Sequence, residues 1–394
     1  MPTRKLTLAV LCIAVYLSLF LPGCGNSMSS TSTPPSPPPS FLYAMAWNNL
    51  QSSEIFVLPI DAGTGALGTP VSIPGPQPPL TSLAPAGTKF LYVSELPSAQ
   101  PNSLVYGYAI DQKTGALTLV PGSPFQAPGT LILNGGTADN NFFYIGGTSF
   151  LSNGLAPTVS AFSIASDGSL AAGVAGSPFN LAPPTNAVAG PGPWIVSQSA
   201  FVFATEYEGS TGQPGGIAAF KADATTGVLT PVAGSPFSTG AVGSPAQVVY
   251  DAARGPFVYV SLANPPSFQN LIAGFAVDAN TGVLTPVPGS PFAAASTATL
   301  TLDPSGQFLL TGTSGQNLVE FRIGSDGSLT AMPGVVATVS PPFAFSGPHF
   351  YATGSSTTIA AFNFDSSTGA LTPVTGSPFA VGSFPRTLVA VTLP

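Results

Sequence analysis

One short phrase recurs seven times along this chain, and no other feature limits the possible folds as strongly. The phrase is an acidic residue, a Thr-Gly or Asp-Gly pair, a small or branched residue, then leucine. It reads Asp61…Thr64-Gly65-Ala66-Leu67, Asp111…Thr114-Gly115-Ala116-Leu117, Asp167-Gly168-Ser169-Leu170 and Asp223…Thr226-Gly227-Val228-Leu229. It returns as Asp278…Thr281-Gly282-Val283-Leu284, Asp326-Gly327-Ser328-Leu329 and Asp365…Thr368-Gly369-Ala370-Leu371. Five copies are followed by Gly-Ser-Pro-Phe, beginning at Gly122, Gly176, Gly234, Gly289 and Gly376. The mean spacing is about 51 residues, a period at which each unit is too small to bury its own apolar faces and must stack on its neighbours. One large repeat domain is therefore expected over residues 41–394.

Within a unit the pattern is four short strands. In the second unit Thr81-Ser82-Leu83 is a strand ended by a turn at Ala84-Pro85-Ala86-Gly87, and Phe90-Leu91-Tyr92-Val93 is the next. Leu104 to Ile110 is a third strand and Ala116 to Val120 a fourth, separated by the Asp111–Gly115 turn. No stretch shows sustained helical periodicity. Seven units of four antiparallel strands predict an all-β, seven-bladed propeller. Apolar runs without polar alternation, such as Phe201-Val202-Phe203-Ala204, fit sheets covered on both faces. The Phe of Gly-Ser-Pro-Phe is expected in the wedge between blades. The chain opens on a second-strand pattern, Phe41-Leu42-Tyr43-Ala44, and closes on a first-strand pattern, Thr387-Leu388-Val389-Ala390-Val391. Pairing these two closes the ring and leaves no sheet edge between its ends.

Residues 1–23 read as a bacterial lipoprotein signal peptide: Arg4 and Lys5, an apolar stretch from Leu6 to Leu21, then Cys24 as the lipid-modified residue. Residues 24–40, rich in Ser, Thr and Pro, read as a semi-rigid tether. The expected location is the cell envelope, outside the cytoplasm and lipid-anchored. Only 6% of residues are charged, against about 25% in an ordinary soluble domain. Without Arg4 and Lys5, six of the 8 cations face 15 acids, which disfavours nucleic acid and other polyanions. Cys12 leaves with the peptide and Cys24 carries lipid, so the body has no thiol for a disulfide, a metal or a nucleophile. No cofactor and no metal are expected, and a monomer is expected.

His349 is the sole histidine and sits in a turn between first and second strands, remote from the face made by second-to-third-strand loops. Glu95, Glu206, Tyr207 and Glu208 fall in those loops, and Arg386 in a fourth-to-first connection on the same face. A guanidinium with a carboxylate and a tyrosine ring can orient a small ester or sugar, since arginine bonds oxygens as a fork. These five are the candidate ligand-binding residues; the catalytic residues are unassigned. The seven turn aspartates read as turn-formers, because a calcium site needs several oxygens on one centre.

Leu302-Asp303-Pro304-Ser305-Gly306-Gln307-Phe308-Leu309 resembles the Asp-Pro-x-Gly-x-Phe-Leu phrase of the lactonase-type seven-bladed propellers. That family includes bacterial 6-phosphogluconolactonase and the fungal muconate-lactonizing enzyme. The Phe90–Val93 and Phe257-Val258-Tyr259-Val260 segments, each followed downstream by Thr-Gly-x-Leu-Thr, repeat the likeness. It implies metal-free lactone chemistry at one end of a central channel, using His, Arg and carboxylate side chains that no motif maps onto this chain. From composition and destination the expected function is a tethered module that binds a small ligand, glycan or protein partner. The alternative is a lactone-hydrolysing enzyme, a carboxylic ester hydrolase with its site at the channel mouth. The few cations argue against a phosphorylated lactone.

Overall fold

A computed structural model describes residues 39–49, 52–75, 80–95, 103–127, 130–139, 141–151, 154–171, 173–181, 194–198, 200–206, 214–263, 270–294, 299–312, 318–333 and 337–394. The signal peptide, Cys24, most of the tether, Tyr207 and Glu208 lie outside the described residues. Among the described residues no helix is long and apolar enough to cross a membrane.

Seven antiparallel sheets follow one another along the chain, each of four or five strands. In blade 2 the order from the inside is Leu80–Ala86, Phe90–Glu95, Ser103–Ile110 and Leu117–Leu119. Blade 1 is split between the chain ends, as the sequence predicts. Its innermost strand is Phe384–Thr392, followed by Ser40–Asn49, Ser52–Ile60 and Val71–Pro74. Phe41 pairs with Val391 and Tyr43 with Val389 across this closure.

The core is a set of layers between blades. Seven buried clusters are found, and each joins one blade to the next round the ring. The cluster that joins blade 7 to blade 1, for example, packs Ile359 and Ala361 against Leu42, Ala44 and Leu58. The repeated phrase explains how neighbouring blades lock. Asp61 Oδ1 accepts from the N–H groups of Gly63 (3.1 Å) and Thr64 (2.8 Å) and from the Thr64 hydroxyl (2.8 Å), so the aspartate makes the turn. The following glycine has positive φ and abuts the second strand of the preceding blade. At Gly115 (φ 68°) a Cβ would come 2.5 Å from the ring of Phe41. The tyrosine two residues past that phenylalanine, Tyr43, donates to the Gly115 carbonyl at 2.8 Å. Tyr92 and Gly168, Tyr259 and Gly327, and Tyr351 and Gly65 repeat this bond at 2.8–3.0 Å.

The Gly-Ser-Pro-Phe tail does more than fill a wedge. Its serine Oγ accepts from a third-strand N–H that the short fourth strand leaves uncovered: Gly107 to Ser123 (3.1 Å), Ala161 to Ser177 (2.9 Å), Ala219 to Ser235 (2.9 Å), Gly274 to Ser290 (3.0 Å) and Ala361 to Ser377 (2.9 Å). The phenylalanine then packs into the next inter-blade cluster, as Phe125 and Phe379 do. Outer strands are two to four residues long and several read Leu-Thr-Pro, which blunts the exposed edge.

Two local expectations need correction. Pro85 does not turn the chain; it lies inside Leu80–Ala86, opposite Leu91. Its strand is the innermost, with no partner on the channel side, so a residue lacking an N–H is tolerated there. Glu95 and Glu206 are not loop residues but the last residues of second strands, both buried.

Candidate functional site

The first strands of all seven blades surround a channel. At the end where those strands begin it widens into a cavity of about 460 Å³, within the range of small-molecule sites. Because the strands alternate in direction, this is also the end where second strands finish, so Glu95 pairs with Leu80 there. The wall is mixed. Thr81, Gln247 and Thr299 are polar; Trp194, Phe343 and Phe384 are aromatic.

Arg386 is the single charged side chain among the described lining residues. Its guanidinium carbon lies 4.7 Å from the ring centroid of Trp47 and 4.7 Å from that of Phe384. Among the described residues no carboxylate pairs with it. Cation–π attraction to these two rings holds the exposed guanidinium at the mouth, where its N–H groups can donate to an oxygen as a fork. Ring closure builds this clamp: Trp47 pairs with Phe384 in the register that joins the chain ends. The indole is anchored in turn, its Nε1–H donating to the Leu80 carbonyl at 2.7 Å.

Other polar groups of the wall are tied to the blades. Thr81 and Ser82 hydroxyls both bond the Ser94 hydroxyl, at 2.8 and 2.6 Å. Gln247 Oε1 accepts from the Leu300 N–H at 2.8 Å, linking blades 5 and 6. Among the described residues no group of three or more His, Cys, Asp and Glu side chains could hold a metal.

Of the sequence candidates, Arg386 lines the cavity. Glu95 and Glu206 reach the same face one strand further out and are absent from the described lining. Burial pushes the Glu95 carboxyl up, partly offset by the Leu104 N–H that donates to its Oε1 at 3.1 Å. His349 stands at the opposite end, as its turn position implies. It occupies the place that Phe41, Phe90 and Phe142 hold in other blades, against the turn glycine of the adjacent blade. Its Nδ1 lies 2.9 Å from Asn363 Oδ1 and its Nε2 3.2 Å from the Ala62 carbonyl, so it is a seam residue between blades 7 and 1.

Trp47 and Trp194 were missed. For Trp47 the closure pairing gives the neighbourhood but not the partner, because it reaches Phe384 only through the register shift after Met45. For Trp194 the only hint was scarcity, since the chain has two tryptophans.

Two solved structures share this architecture. A periplasmic gluconolactonase from Pseudomonas aeruginosa superposes with a TM-score of 0.68 at 18% identity, over 90% of this chain and 100% of its own. A candidate 6-phosphogluconolactonase from Bacteroides fragilis gives 0.63 at 17%, over 91% and 99%. The likeness shows the shared fold. No protein-family model and no curated protein sequence matches the chain.

Proposed function

We propose that this chain is an envelope propeller that binds a neutral lactone at the channel mouth and hydrolyses it. The carrying observation is Arg386, one cation held between two rings in a cavity of ligand size. In lactone hydrolysis water adds to the ring carbonyl, negative charge develops on that oxygen, and the ring C–O bond then breaks to release a hydroxy acid. A pre-set guanidinium edge stabilises that oxygen more in the transition state than in the ground state, and it does so without reorganising. A lone cation also suits an uncharged substrate better than a phosphorylated one. The fold shared with a periplasmic gluconolactonase supports the reading, as does the lipoprotein-like N-terminus.

The described lining holds an electrophile and no general base. On this reading the attacking nucleophile is hydroxide or bulk water at the open mouth. Its rate should climb steadily from pH 6 to 9 without an inflection, and Arg386→Gln should lower kcat by about 100-fold. A panel of neutral and phosphorylated lactones, offered to the purified body, tests this; no turnover above the spontaneous rate with any of them refutes it. The same lack of a base favours one further reading, a binding module that takes the ligand without turnover. Saturable binding with no hydrolysis would select it.

A further inference from the structure

Opposite Arg386, the cavity wall carries a residue with no structural task large enough to explain its exposure. Trp194 is 37% exposed. The other exposed large apolar residues, Val71 and Leu119, sit in outermost strands. Trp194 instead lines the cavity, at the head of the innermost strand of blade 4. Arg386 belongs to blade 1, and three steps round a ring of seven places the two side chains on opposing walls.

The backbone that carries the indole is firmly placed. The Trp194 N–H donates to Thr205 Oγ1 at 3.0 Å, and its carbonyl accepts from the Thr205 N–H at 2.9 Å. Beside it, blade 3 contributes Gly135 and Gly136 to the described wall. A Cβ on Gly135 would meet the six-membered edge of the indole at 3.5 Å. Bare backbone there keeps the space next to the ring open while supporting its edge. An exposed aromatic surface on an anchored backbone, in a cavity ringed by hydroxyl and amide groups, suits a ligand with one C–H face and a polar rim, which is the surface of a sugar ring.

We infer that Trp194 is the specificity-determining contact of this cavity: a stacking platform for one neutral sugar-lactone ring whose carbonyl is turned toward Arg386. The inference rests on the lactone reading above and adds the substrate class. Thr299 and the amide nitrogen of Gln247 are on the wall for the hydroxyl rim, and a phosphate gains nothing from the Trp194 wall.

Glucono-1,5-lactam, an amide analogue that is not hydrolysed as the ester is, provides the probe. The chain has two tryptophans, so Trp47→Phe leaves Trp194 as sole emitter while keeping a ring under Arg386. Titration of this variant should give a saturable change in emission. By calorimetry, Trp194→Ala in the native body should weaken lactam binding about tenfold or more, and Trp194→Phe should recover most of it. A flat titration overturns the inference, as does a Trp194→Ala affinity within twofold of native. If Trp194→Ala misfolds, the emission titration alone decides. Binding through Trp194 without hydrolysis of any lactone upholds the inference and removes the hydrolase reading. Hydrolysis with KM unchanged in Trp194→Ala does the reverse.

Discussion

Glu320 offers the sharpest quantitative test of how the blades are packed. It is 3% exposed, in the third strand of blade 6, and its Oε1 has no hydrogen-bond partner among the described residues. Registers place it where five other blades carry Gly107, Ala161, Ala219, Gly274 and Ala361. Those residues donate to a Gly-Ser-Pro-Phe serine, and blade 6 has no such tail. The carboxylate instead presses against the blade 7 turn: a Cβ on Gly369 would come 2.4 Å from Glu320 Oε1. Burial, with a smaller push from Asp303 and a partial offset from Arg322, raises its pKa from 4.5 to about 7. The folded protein thus holds the proton more tightly than the unfolded chain. Stability from this group is fully present below about pH 4.5 and is lost as pH rises through 7. At about 1.36 kcal/mol per unit, the loss is a little over ~3 kcal/mol. Glu320→Gln keeps the shape and removes the titration, so it should be the more stable protein at pH 8.5 and near neutral in effect at pH 4.5. With an unfolding entropy of roughly 2 cal/mol/K per residue, 3 kcal/mol over this propeller corresponds to about 4 °C in Tm. Thermal unfolding of both proteins from pH 4.5 to 8.5 measures the difference directly. Asp251 and Glu95 are also pushed up by burial, but their contribution is common to both proteins and cancels. Parallel Tm–pH curves for native and Glu320→Gln would refute the reasoning.

Three further outcomes follow from the fold. Deleting Phe384–Pro394 removes the innermost strand of blade 1 with buried Leu388, Val391 and Leu393; loss of a cooperative unfolding transition is expected, and an unchanged midpoint counts against ring closure. Ser235→Ala strips the acceptor from the Ala219 N–H and should cost about 1–2 kcal/mol in denaturant unfolding, whereas Ser366→Ala, on an exposed turn position, serves as the near-neutral control. His349→Phe restores the residue type found at the same place in other blades, so any lactone turnover should be unchanged; a loss of kcat with a native midpoint would make His349 catalytic.

The repeated phrase determined the blade number and the closure, because its chemistry is local. An aspartate capping N–H groups two and three residues on, and a glycine that alone accepts positive φ, work in any chain that contains them. The strand patterns at the two termini likewise carried enough information to pair the Phe41–Ala44 segment with the Thr387–Val391 segment, while the register came from the structure. The face shared by Arg386, Glu95 and Glu206 was also legible, since strand direction alternates. Spacing could not say how deep each side chain lies. Glu95 and Glu206 looked like loop charges and are buried strand ends, because the second strands run further than their apolar cores. Only the tertiary structure decided what Arg386 touches and what it faces. Trp47 is more than three hundred residues away in sequence, and Trp194 belongs to a blade across the ring. Side chains meet there because seven inner strands converge on one axis, a geometry that no single repeat contains.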